Sequence, residues 1–60
     1  MSKTEIKKKI DKLFKEYLVR AISEWDKWVC YELYQRIVDK EPLPKELVSA
    51  FQEMCLDYKL

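Results

Sequence analysis

Three groups of residues in this 60-residue chain have side chains that could do chemistry. They are the thiols of Cys30 and Cys55, a lysine run (Lys7, Lys8, Lys9, continued by Lys12), and three aromatic residues (Trp25, Trp28, Tyr31) at successive three-residue spacings. The thiols lack the helpers that catalysis needs. With no histidine, no imidazole is present to activate a serine or cysteine, or to complete a mixed zinc site. With no glycine, a phosphate-cradling loop, a dinucleotide fingerprint and a nucleophile elbow are all excluded. Cys30 and Cys55 lie in apolar stretches, far apart in sequence, and read as buried free thiols. Acidic residues fall singly along the chain. The expectation is a protein without enzymatic activity, catalytic residues, cofactor or metal site.

The lysines would suit phosphate. Lys7, Lys8, Lys9 and Lys12 give a salt-sensitive, sequence-independent route to nucleic acid. No arginine or asparagine cluster accompanies them to read base edges. A helix-turn-helix built from the last two helices would offer DNA a surface carrying Glu46, Glu53 and Asp57. A small nucleic-acid-binding regulator is therefore the second reading. The same basic amphipathic run could lie on a membrane surface, but its apolar face is also the one a bundle core requires.

Trp25, Trp28 and Tyr31 are the strongest functional hint. They stand on a side of their helix away from Val29, Cys30, Leu33 and Ile37. If that second set packs inside, the rings are left outside, and exposed Trp and Tyr are what protein interfaces concentrate. The plainer account is that the rings close a small core or complete a homodimer. The first reading is a non-catalytic protein–protein interaction module, a regulatory inhibitor or adaptor acting on a larger protein, with Trp25, Trp28 and Tyr31 as partner-binding residues.

Helices must position all of this. Ser2 and Glu5 form a capping-box pattern, and Ile6, Ile10, Leu13, Phe14, Tyr17, Leu18, Ala21 and Ile22 recur at helical spacing. Glu5–Lys9, Asp11–Lys15 and Glu16–Arg20 are i,i+4 pairs with the acid leading. Ser23 opens a second cap pattern with Glu24 and Asp26. The apolar phase shifts there. Phe14, Leu18, Ala21, Trp25 and Trp28 fall on one stripe; Val29, Cys30, Leu33, Tyr34 and Ile37 fall on another. One straight helix cannot turn both stripes to one core, so the chain either turns near Ser23 or runs on as a long helix with two partners. Pro42 and Pro44 stop the second helix, and Pro44 suits the first position of a third. Leu47, Val48, Phe51, Met54, Cys55 and Tyr58 form its apolar face.

The predicted fold is all-α: one domain over residues 1–60, a small three-helix bundle with helices over about 3–22, 24–39 and 44–58. The first two are fused if the chain does not turn. A chain of this length buries only roughly 60% of its unfolded surface, yet 48% of its residues are hydrophobic and 13% aromatic. A homodimer is the expected remedy. Residues 1–20 carry seven basic and three acidic side chains, and residues 21–60 five and eight. That polarity favours antiparallel pairing, within the chain or between copies. No apolar run approaches the ~20 residues of a membrane span, and the start of the chain is not that of a signal peptide. A cytoplasmic location is the resulting expectation.

Overall fold

The computed structural model describes residues 1–60. Three helices, α1 (Lys3–Glu16), α2 (Glu24–Val38) and α3 (Lys45–Tyr58), run up, down and up, with α2 packed against both others. Both serine caps form. The Ser2 hydroxyl accepts from the Glu5 amide at 3.2 Å and the Ser23 hydroxyl from the Asp26 amide at 3.1 Å, each stabilising its helix by about 1 kcal/mol. The chain therefore turns at Ser23, and the fused long helix does not occur.

The main departure from the sequence reading is the end of α1. The helix stops at Glu16 rather than near residue 22, and Val19–Ala21 form a single 3-10 turn. Nothing in the local sequence breaks the helix. Tertiary contacts do: the Tyr17 ring meets Tyr58 edge-on at 5.2 Å, and its hydroxyl donates to the Tyr58 carbonyl at 3.3 Å. Extended backbone at Tyr17 and Leu18 also returns Ile22 to the core, where it is buried. The Glu16–Arg20 pair thereby loses its helical register. Glu5–Lys9 and Asp11–Lys15 also make no ion pair; the three that form are Lys27–Glu24, Arg36–Glu32 and Arg36–Glu41.

The other boundaries shift by one residue. α2 ends at Val38, and Pro44 caps α3 from outside, with its helix beginning at Lys45. Both C-termini close by the same device. Glu41 N–H donates to Arg36 C=O at 2.8 Å and Lys40 N–H to Ile37 C=O at 3.2 Å; Leu60 N–H and Lys59 N–H repeat this on Cys55 and Leu56. Such paired bonds satisfy carbonyls the helix leaves free, and they require one left-handed residue, usually glycine. Without glycine, lysine fills both places, Lys40 at φ 60° and Lys59 at φ 57°. Left-handed backbone costs a non-glycine residue about 1–2 kcal/mol, part of which glycine's greater unfolded freedom would offset. Lys40→Gly is accordingly expected to raise stability by about 0.5–1 kcal/mol, read as a higher urea midpoint at unchanged slope.

The core is a single cluster of eleven buried residues. α1 contributes Ile6, Ile10 and Leu13; α2 contributes Val29, Cys30 and Leu33; α3 contributes Leu47, Phe51, Met54 and Cys55. Val29, Cys30 and Leu33 of the second apolar stripe are thus buried, with Tyr34 and Ile37 half-buried at its edge. No helix is long and apolar enough to cross a membrane.

Candidate functional site

The tryptophans of the first stripe lie outside together with Tyr31, whereas Phe14 of that stripe is half-buried against the core. Trp25 is 60% exposed, Trp28 46% and Tyr31 57%. With Val29, Cys30 and Leu33 turned to the core, Trp28 and Tyr31 stand roughly 150° away around α2 and must face out. Trp25, one turn before Val29, is exposed by its place in the first turn of the helix. Each three-residue step falls about 60° short of a full turn, so the three rings also wind around α2. Trp25 and Trp28 stack on each other at 5.2 Å. Tyr31 stacks on Phe14 of α1, with centroids at 5.6 Å and ring planes 8° apart. The stripe is therefore continued across the helix boundary into a shallow groove of about 220 Å³, lined by Ile10, Asp11, Phe14, Tyr31 and Tyr34. Lys7 places its ammonium 5.7 Å from the Tyr34 ring centroid, a cation–π contact worth about 0.5–1 kcal/mol at the surface.

Phe14, Tyr34 and the exposed linker residues Leu18 and Val19 enlarge the face beyond the three residues the spacing singled out. Phe14 and Leu18 were legible only as members of the first stripe. That Phe14 would meet Tyr31 depended on the pairing of α1 with α2.

The lysine run is not brought together. Consecutive residues of a helix point ~100° apart. Lys8 and Lys12 share an outer face, Lys7 sits over Tyr34, and Lys9 is half-buried, its charge acting on Cys55. Four lysines within six residues of sequence thus serve three different surfaces.

At the end of the bundle where α2 begins, the Tyr58 hydroxyl donates to an Asp26 carboxylate oxygen at 2.7 Å. This bond to Asp26, with burial, raises the pKa of Tyr58. The sequence suggested Asp26 as a partner of its own helix cap; its carboxylate is instead a tie to α3. Nearby Cys30 is fully enclosed. Burial, then the Asp26 charge and then Cys55 push its pKa from 9.0 up to about 12. Burial likewise raises Cys55, against the opposing charge of Lys9. Only the thiolate is nucleophilic, so at neutral pH both sulfurs act as apolar filling.

No family model matches the chain, and no curated protein or solved structure shows significant similarity to it.

Proposed function

We propose that the protein is a non-catalytic interaction module, a small regulatory inhibitor or adaptor that docks on a larger protein through Trp25, Trp28 and Tyr31. One observation carries the reading. Two tryptophans stacked on each other keep about half their surface in water, in a chain too small to spare apolar area. Rings of this size bring roughly 150–250 Å² each, and interface hot spots are enriched in Trp and Tyr. The exposed part of three rings is well short of the ~800 Å² per partner of a stable interface. The contact must therefore extend to Leu18, Val19 and the adjoining groove. An intracellular site of action belongs to this reading, since two free cysteines suit a reducing compartment.

Trp25→Ala and Trp28→Ala are each expected to weaken partner binding by about 30-fold or more, the ~2 kcal/mol of a hot spot. Far-UV circular dichroism and the urea midpoint should stay nearly unchanged, because neither ring fills the core. Affinity capture from the native host, with and without nuclease, is the measurement. Recovery of nucleic acid alone, lost with Lys8→Glu and Lys12→Glu, would transfer the function to the lysines. Self-association is the competing use of the face: a homodimer would cover the rings and leave them unavailable. A sedimentation experiment in which Trp28→Ala converts a dimer to a monomer would favour that use.

A further inference from the structure

We infer that the groove between α1 and α2 receives one amphipathic helix of the partner protein, its leucine-sized anchors seated between Phe14 and Tyr34 and its acidic side chains facing α1. The inference rests on the docking reading above and names the partner's chemistry.

Size limits the occupant. About 220 Å³ is below the ~300–1,000 Å³ of sites that enclose small molecules; it accommodates one or two side chains. The groove runs between two antiparallel helices, so a third helix laid along it offers an anchor every three or four residues. An extended segment has no strand edge to join in a fold made only of helices.

Charge decides the sign. Lys3, Lys7, Asp11 and Lys15 form one i,i+4 row on α1, and all four are exposed. Asp11 lines the groove itself, while Lys7 is held over the Tyr34 ring that closes it. Three cations therefore stand against one carboxylate, and none of the four enters an ion pair within the chain. The α2 side of the groove is lined by the uncharged Tyr31 and Tyr34, and one turn or two before Tyr31 the Lys27 and Glu24 side chains neutralise each other at 2.8 Å. The unpaired edge is positive, which selects acidic helices and disfavours basic ones. Lys7, already ordered by the ring, gives up little freedom when a carboxylate arrives.

The test uses the whole protein and three tryptophan-free peptides of about 18 residues, ~27 Å as a helix, to match the 28 Å long axis of the bundle. One is an amphipathic leucine–glutamate helix, one the same with lysine for glutamate, and one proline-rich. Binding is read from the fluorescence of Trp25 and Trp28 and from amide shifts of Tyr31 and Tyr34. The acidic helix is expected to bind at least tenfold more tightly than the basic one, and to weaken as salt is added. Phe14→Ala should reduce its binding about tenfold. The paired change Lys3→Glu with Lys7→Glu should reverse the preference in favour of the basic peptide, a readout that mere destabilisation would not move. Equal binding of acidic and basic helices, tighter binding of the proline-rich peptide, or no binding by any would overturn the inference. If that happens while Trp25→Ala still releases a captured host protein, the docking reading survives alone. If Trp25→Ala also has no effect, both fall.

Discussion

Phe51→Ala is expected to leave the protein largely unfolded at room temperature. Phe51 is the largest of the fully enclosed side chains, at 0% exposure, and it comes from the middle of α3 into a cluster fed by all three helices. Removing a buried phenyl group costs about 3–5 kcal/mol through lost transfer energy and the cavity left behind. A single core in a chain of this size rarely supplies more than about 3–5 kcal/mol in total. The two figures are comparable, so no margin remains. Far-UV circular dichroism should show the loss of helix directly. Phe51→Leu, which keeps most of the volume, should remain folded with a lower urea midpoint. Leu56→Ala on the same helix is a stringent control: Leu56 is 80% exposed, and its loss should change stability by no more than about 0.5 kcal/mol. A folded Phe51→Ala would mean that the core relaxes into the space or that the fold is far more stable than its size implies.

Alkaline unfolding is the second large effect. The folded protein holds the Cys30 proton up to about pH 12, whereas an exposed thiol releases it near 9.0. A folded-state pKa raised above its unfolded value gives stability that is complete below the lower value and lost as pH climbs towards the higher. The window is therefore about pH 9 to 12. At about 1.4 kcal/mol per pH step, the loss across it is on the order of 4 kcal/mol, again comparable with the whole folding free energy. Tyr58 adds to it in the same direction above its ordinary 10.0, because its proton is held by Asp26. Helicity should fall cooperatively inside this window. Cys30→Ala should shift the transition to higher pH, despite losing about 1 kcal/mol at neutral pH from the missing sulfur. Tyr58→Phe should remove the smaller share. Thiolate absorbance rising near pH 9 with helicity intact would refute this account.

Much of the fold was legible in the residues because its determinants are local. A serine hydroxyl reaches an amide three residues on, a proline restricts the residue before it, and an apolar period near 3.6 marks one face of a helix. Those rules located the caps at Ser2 and Ser23, the stop before Pro42, and ten of the eleven core residues within the apolar faces of α1, α2 and α3. The eleventh, Ile22, stood on the apolar period expected of the first helix, but it is buried from the linker and not from a helix. The aromatic spacing of the candidate site was equally visible. Its extension onto Phe14 was not, because Tyr31 and Phe14 meet only once α1 lies antiparallel to α2.

What the residues carried by themselves was an all-α chain of three helical stretches, the first two separate or fused, with serine caps at Ser2 and Ser23 and two apolar stripes of different phase that one straight helix could not serve. Tertiary structure alone decided where α1 ends, since Tyr17 leaves the helix for a ring 41 residues away. It also decided that Asp26 serves Tyr58, 32 residues on, and which of the two stripes went inside. The physical reason is the range of the interactions. Caps and periodicity act within a few residues, while burial is settled only when every helix competes for the same small interior. Trp28 remained outside because Val29, Cys30 and Leu33 filled it, and Trp25 because it stands in the first turn of α2.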